Sequence, residues 1–336
     1  MWSGLTPPQT VFYWRRFKKV VLNPPDFEPG SWCGAGKLWI DVDSEEYWLT
    51  SRPRKGSERR GFAVEIYRST NGESFSLVTW ITKEELSEIV GKPVQSIENQ
   101  QLLLDPSTGL YHLYLSLDIH EENVAGDASK VYEGRWETYL MTADDPAGPW
   151  SGEGFALRGD REYDSGEARD CTIDIIDGRY FCLYKARKAG TSRVNMALAV
   201  SRDGREWNKL GVVKINGKAQ PQYLMMNGSI MAGCTGPIYF GTVTTDVLKG
   251  SALTKKFAAY TIDYRNLNLE EIFTAEWTPG SRYEHPTYPL HTYSSIVYDP
   301  LRELWMMTVE AVDPLYSAGL GLNLEVDRVL LYTSEA

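Results

Sequence analysis

The segment 167–187, EARDCTIDIIDGRYFCLYKAR, sets Glu167 and Asp170 at the entrance of one strand and Lys185 and Arg187 at the exit of the next, around an Asp177-Gly178 turn. Comparable groups stand at other strand ends. Glu98 and Asn99 open one strand, Arg52 and Arg54 leave another in TSRPRKGSERR, and Asp118 and His120 leave a third. His291 and Tyr293 open a late strand whose partner ends near Glu310 and Asp313. Carboxylates and imidazoles are the groups that exchange protons in acid–base catalysis. Side-chain alternation puts Arg52 with Arg54 on one face, and Lys185 with Arg187 on one face. Convergent cations suit a carboxylate, sulfate or phosphate group. They serve equally to neutralise carboxylates beside them.

These charges act together only if the architecture gathers strand ends. Five hairpins of one pattern are present: KLWIDVDSEEYWLTSRPR, QQLLLDPSTGLYHLYLSLDIH, the 167–187 segment, YLMMNGSIMAGCTGPIYFGTVTTD and YSSIVYDPLRELWMMTVEAVD. Each is a strand, a turn rich in Asp, Gly, Pro, Ser or Asn, and an aromatic-rich return strand. A third strand ending in a polar turn follows each, so that Thr70, Asp144, Asp203, Asp263 and Ser334 mark a period of roughly 60–75 residues. Units of about four strands at this spacing predict an all-β fold, one five-bladed β-propeller domain over residues 1–336. TVFYWRRFKKVV, at 10–21, is expected as a strand that pairs with 327–335 and closes the ring. TKEELSEIVG, at 82–91, carries a Thr cap, a Glu three residues on and a terminal Gly, and predicts a short surface helix.

In a propeller the inner strand of each blade starts at one mouth of the channel and the second strand returns to it. The residues gathered there are Cys33, Glu98, Asn99, Glu167, Asp170, Gln220, Gln222, His291 and Tyr293 from the starts. From the returns come Arg52, Arg54, Asp118, His120, Lys185, Arg187, Thr242, Glu310 and Asp313. A funnel so lined is expected to be a binding and reaction site.

Composition narrows the partners. A net charge of −10 disfavours a nucleic-acid backbone. Cys33, Cys171, Cys182 and Cys234 show no CxxC spacing, which disfavours a zinc knuckle or redox motif, and buried thiols are expected. No stretch has about 18 uninterrupted apolar residues, and no apolar leader is visible in MWSGLTPPQTVFYWRRFKKVV. A cytoplasmic protein with no membrane partner and no cofactor is expected. No histidine cluster has metal-site spacing, and no phosphate-binding loop or serine nucleophile elbow occurs.

SIENQQLLLDPSTGLYHLYLS, ARDCTIDIIDGRYFCLYKAR and MTADDPAGPWS resemble the blade hairpins and inter-blade turn of the five-bladed propeller glycosidases. That superfamily spans glycoside hydrolase families 32, 43, 62, 68 and 117 and the mannoside phosphorylases and hydrolases of family 130. The resemblance covers roughly residues 10–336. It implies a carbohydrate substrate cleaved by two carboxyl groups, one protonating the leaving oxygen and one activating water, at the wide separation of an inverting mechanism. Asp170 matches the inner-strand acid of blade three and Glu98 is its blade-two counterpart. Asp26 and His291 are further catalytic candidates, His291 as an acid in the manner of a blade-five histidine in family 117. Arg52, Arg54, Asp118, Glu167, Lys185, Arg187, Tyr293 and Glu310 are then expected to bind substrate. Some relatives hold calcium in the channel, which nothing in this sequence requires.

Departures from the family 43 pattern keep other functions open. SWCGAGKLW stands where an Asp-Pro opens blade one, and KAQPQYLMM offers glutamines where a Glu opens blade four. A phosphorylase using the cations for phosphate, and a glycan-binding propeller without catalysis, are the alternatives. Structural roles also compete residue by residue. Asp170 can pair with Lys185 or Arg187, Glu98 with backbone amides, and His291 with packing neighbours. Asp144-Asp145 and Asp203-Gly204 read as outer turns.

Overall fold

The computed structural model describes residues 8–34, 36–55, 60–119 and 135–334; His120 lies outside them. A helix, α1 (Pro8–Trp14), leads into β1 (Arg15–Leu22). The strands β2 (Lys37–Asp41), β3 (Glu46–Ser51), β4 (Ala63–Ser69) and β5 (Ser76–Thr82) form one antiparallel sheet. Helix α2 (Lys83–Val90) follows, then β6 (Ser96–Leu104), β7 (Tyr111–Asp118), β8 (Trp136–Ala143) and β9 (Ser151–Leu157), paired in that order. β10 (Glu167–Ile176), β11 (Arg179–Arg187), β12 (Val194–Ser201) and β13 (Trp207–Val212) repeat the pattern, joined to the preceding unit by the single parallel pair Glu167 and Trp136. After the two-residue β14 (Lys214–Ile215) come β15 (Met225–Gly233) and β16 (Gly236–Thr244), then the short β17 (Leu253–Thr254). β18 (Lys256–Asp263) and β19 (Asn268–Glu276) complete that sheet. The last hairpin is β20 (Leu290–Asp299) and β21 (Leu304–Val312), followed by β22 (Asp327–Ser334). β1 pairs antiparallel with β22, from Arg15 against Ser334 to Leu22 against Val329.

Burial explains why these segments read as near-continuous apolar runs. β7, β8, β11, β21 and β22 are buried almost throughout, with cover on both faces, whereas β5, β9 and β19 at the outer edges are largely exposed. The first strands of the units touch in succession: β2 with β6, β6 with β10, β10 with β15, β15 with β20, and β20 with β2. Polar bonds fix these contacts. Asn99 Nδ2 donates to the Cys171 carbonyl at 2.7 Å, and Lys37 Nζ to the carbonyls of Gly228 and Ser294 at 2.8 and 2.9 Å.

Helix α2 forms as expected, with Thr82 and Glu85 in a reciprocal capping box and Gly91 left-handed at φ 71°. The N-terminal segment needs correction, because residues 10–14 of the expected strand belong to α1 and only the remainder pairs. A proline at the first helical position presets φ for a helix, and the turn carries Val11 and Phe12 into the core while Tyr13 and Trp14 stay exposed. Phe12 packs at 5.2 Å from Phe257 and 5.8 Å from Trp277 between ring centroids. Phe12→Ala should therefore cost about 3–5 kcal/mol, read as a lowered urea midpoint; a loss below about 1 kcal/mol would show that α1 is not part of the core.

Candidate active site

Three of the first strands carry a register shift near their N-terminal ends: between Ile97 and Gln100 in β6, Arg169 and Thr172 in β10, and Leu290 and Ser294 in β20. Glu98, Asp170 and His291 all fall inside these bulges. A bulge interrupts alternation and re-aims side chains, and Asp170 sits at φ 54°, a conformation uncommon outside glycine. Its N–H donates to Ser116 Oγ of the neighbouring unit at 2.9 Å. Bulged backbone thus re-aims these groups: Glu98 and His291 reach a common space, and Asp170 lies beneath it.

That space is a cavity of about 150 Å3 at the N-terminal ends of the first strands, lined by Trp32, Arg52, Arg54, Arg60, Glu98, Glu167, Arg169, Lys185, Arg187, His291 and Tyr293 together with smaller residues of 223–252. Glu98 lies 2.7 Å from Arg52 Nη2 and 3.3 Å from Arg60 Nη2. Burial alone would raise its pKa, but Arg52, Arg60, Arg169 and Arg54 outweigh burial and hold it at about 2. Glu167 meets three cations, Arg187 at 2.8 Å, Lys185 at 3.0 Å and Arg169 at 3.1 Å. They overcome its burial and keep it well below the usual carboxylate range. Trp136 and Trp32 floor the guanidinium groups, with Arg169 4.1 Å above Trp136 and Arg54 4.1 Å above Trp32.

Asp170 is buried beneath this layer, 3.4 Å from Arg169 Nη1, and its Oδ2 receives no hydrogen bond. Its cation is therefore Arg169, while Lys185 and Arg187 pair with Glu167. Lys37 lies in the channel below. Burial lowers its ammonium to about 7, with Asp170 and Glu310 acting in the opposite direction.

Behind His291 lie two acids. Glu310 on β21 and Asp327 on β22 are diagonal neighbours on one face, since Glu310 faces Val329 and Asp327 faces Val312. Both are buried, and neither oxygen of Glu310 nor Oδ2 of Asp327 meets a donor elsewhere. Facing carboxyl groups in such a place share a proton. Burial, then Asp327, drives Glu310 well above the ordinary glutamate value, and burial raises Asp327 as well. Asp327 Oδ1 accepts the Cys33 N–H at 2.6 Å. His291 is lowered to about 4, chiefly by burial, so its imidazole is neutral at neutral pH; its Nε2 faces no partner, and Glu310 is its strongest charged neighbour.

A group whose folded pKa is raised stabilises the fold below its unfolded value, and that contribution is lost as pH rises through the folded value. For Glu310 the window opens at about 4.3 and runs upward. Glu310→Gln keeps the shape and stays neutral, so its urea midpoint should gain steadily on the unsubstituted protein between pH 5 and 9. Parallel pH profiles for the two proteins would refute a proton held at Glu310.

Other expected residues lie elsewhere. Asp26 remains in its loop, half-exposed, accepting from Ser31 and the Glu28 N–H and pairing with Lys55 at 3.1 Å. Asp118 is buried at the end of β7, opposite Ser96. Gln220 braces backbone, bonding to Met196 and Val213. Asp313 pairs with Arg328, and Thr242 donates to the Asn227 carbonyl. Arg60, Arg169, Asp327 and the two tryptophan platforms are additions that sequence reading missed. Only Arg169 had a visible signal, its parity with Glu167. Among the described residues Cys33, Cys171 and Cys182 are buried free thiols, Cys234 is an exposed one, and no group of three or more His, Cys, Asp or Glu is placed to hold a metal ion. No helix among them is long and apolar enough to cross a membrane.

A larger cavity of about 700 Å3 opens at the C-terminal ends of the same strands. Its walls are mainly apolar, among them Trp39, Leu102, Ile173, Ile230, Ile296 and Trp305, with Asp174 and Lys37 as its charged members. Proton transfer needs convergent ionisable groups, and those are at the smaller cavity.

No protein family and no curated protein matches the sequence. Solved structures are similar in fold. Zg3597, a family 117 glycoside hydrolase from the marine bacterium Zobellia galactanivorans, superposes with a TM-score of 0.60 over 96% of this chain and 91% of its own, at 13% identity. A GH43_1 enzyme from Xanthomonas citri complexed with xylose gives 0.59 over 96% and 91%, at 11% identity. The β-1,2-mannobiose phosphorylase of Listeria innocua gives 0.56 over 95% and 96%, also at 11%. The chain shares the fold of these glycoside hydrolases and of the phosphorylase.

Proposed function

We propose that this chain is a glycoside hydrolase, a single five-bladed β-propeller closed by β1 on β22, that cleaves an oligosaccharide or glycoside in the 150 Å3 cavity. The circuit of contacts through β2, β6, β10, β15 and β20 supports the closed ring. The observation that carries the chemistry is that bulges in β6, β10 and β20 gather Glu98, Asp170 and His291, from three different units, at one end of the first strands, with the buried Glu310 and Asp327 pair behind His291. Glycosidic cleavage needs a proton donor and a proton acceptor on opposite sides of the bond.

A carboxylate held at about 2 is too weak a base to take a proton from water efficiently at neutral pH. Glu98 instead fixes Arg52 and Arg60. Asp170, with one oxygen open to a further hydrogen bond, is the base that activates water. His291 lines the cavity and delivers the proton to the leaving oxygen, drawing on the carboxyl of Glu310 behind it. Tyr293, Lys185 and Arg187 hold the sugar. Acid and base on different units give the room for water that an inverting reaction requires.

Phosphorolysis is the second reading, favoured by the cations at the cavity and by the likeness to a phosphorylase structure. Incubation with neutral and acidic oligosaccharides, with and without phosphate, separates the two by product analysis. Hydrolysis yields free reducing sugar without phosphate. A sugar 1-phosphate formed only in its presence establishes phosphorolysis, and the absence of any cleavage leaves a glycan-binding protein.

A further inference from the structure

Six cationic side chains line the cavity against two carboxylates: Arg52, Arg54, Arg60, Arg169, Lys185 and Arg187 face Glu98 and Glu167. The excess is not evenly spread. Glu167 answers Arg169, Lys185 and Arg187 at 3.1 Å or less, and Asp170 adds a second acid beside Arg169. Around Glu98, by contrast, stand Arg52, Arg60 and Arg54 with one carboxylate among three guanidinium groups. Arg54 is the unanswered one. It is 2% exposed, stands 4.1 Å from the Trp32 ring centroid, and among the described residues its one side-chain hydrogen-bond partner is the neutral Asn323 Oδ1 at 2.6 Å. Its Nε, the Arg60 Nε and the Arg52 Nε and Nη1 are all buried without an acceptor among the described residues. Buried guanidinium donors left unpaired are costly, and a site that retains them is shaped for a ligand that supplies the acceptors. Burial and the repulsion of Arg60 lower Arg54 to about 9, against the opposing pull of Glu98 and Asp327.

We infer that Arg54 and Arg60, beside Arg52, form a subsite for an anionic group on the saccharide itself, a carboxylate or sulfate ester, so that the substrate class is an acidic glycan. This rests on the cavity being the saccharide site. A planar guanidinium pair matches a carboxylate or sulfate edge with two parallel hydrogen bonds. A neutral hydroxymethyl group in the same place would leave the donors unsatisfied, and such mismatch is what gives a polar site its discrimination.

The test is calorimetric binding at fixed ionic strength, with D-glucuronate, D-galacturonate and D-galactose 6-sulfate compared with D-glucose and D-galactose, and with inorganic phosphate and sulfate as separate arms. An acidic sugar should bind at least about 30-fold tighter than its neutral counterpart, and Arg54→Gln should bring that ratio down toward one. The comparison on the unsubstituted protein needs no variant, and Arg54→Lys, which keeps the charge, should retain part of the preference. Acidic sugars that bind no tighter than neutral ones, or not at all, overturn the inference; so does tight inorganic phosphate alongside indifference to sugar charge, which assigns the cations to a free anion. Acid preference without cleavage of any glycoside would sink the hydrolase reading and leave this inference standing. Cleavage of neutral glycosides without acid preference would do the reverse.

Discussion

Asp170→Asn should lower the turnover of a cleaved glycoside by about 10³-fold while leaving the urea midpoint within about 1 kcal/mol of the unsubstituted protein. The amide occupies the same volume, and the backbone N–H of residue 170 still donates to Ser116 Oγ, because the side chain takes no part in that bond. What it cannot do is take a proton, and general-base contributions are of order 10²–10⁴. The loss should fall on kcat with little change in KM, the sign of an interaction made in the transition state. Near-full activity in a folded variant would remove Asp170 from the mechanism.

Glu167→Gln should have the largest effect on stability. Its carboxylate lies within 3.1 Å of Arg169, Lys185 and Arg187, all buried, and a neutral amide leaves Lys185 and Arg187 with no full counter-charge and Arg169 with Asp170 alone at 3.4 Å. Removing one member of a buried ion cluster costs about 3–5 kcal/mol. Adding Lys185→Met to the variant should recover part of that loss, because one of the stranded charges is then gone. The effect depends on pH in a fixed direction. A depressed carboxylate contributes stability above its unfolded value of about 4.3, and the contribution is lost as pH falls through the folded value. Glu167→Gln should therefore flatten the acid limb of the stability profile and leave the alkaline limb alone. A cost below about 1 kcal/mol would show that the three cations find other partners.

Much of this arrangement is legible in the sequence because a hairpin forces it. The start of a first strand and the end of its partner must lie side by side, so Glu167 with Lys185 and Arg187 follows from spacing alone, as the observed register bears out. Likewise Glu98, Arg52, Arg54, His291 and Tyr293 are brought to one cavity. Alternation fails where the backbone bulges. Arg169 shares a face with Glu167 by regular alternation, and the shift that follows it sets Asp170 at φ 54°, off the alternating pattern. Arg60 is in an irregular loop and Asp327 reaches Cys33 across 294 positions, neither of which any local pattern encodes. Glu310 was visible as a polar strand end, but its protonated state is set by Asp327 on the next strand and by burial. Asp26 shows the opposite failure: an acid near the right strand whose loop turns it toward Ser31 and Lys55. The helix at 8–14 was hidden because its apolar pair, Val11 and Phe12, is too short to reveal a period.

The most direct test is a crystal structure of the Asp170→Asn variant soaked with a saccharide that the unsubstituted protein cleaves. The scissile bond is predicted to lie in the cavity walled by Trp32, Glu98, Arg169 and His291, with the leaving oxygen on the His291 side and a water held by the residue 170 side chain. A saccharide seated instead at the opposite mouth, between Trp39 and Trp305, or one in the predicted cavity with no carboxyl or imidazole group near its glycosidic oxygen, would contradict it.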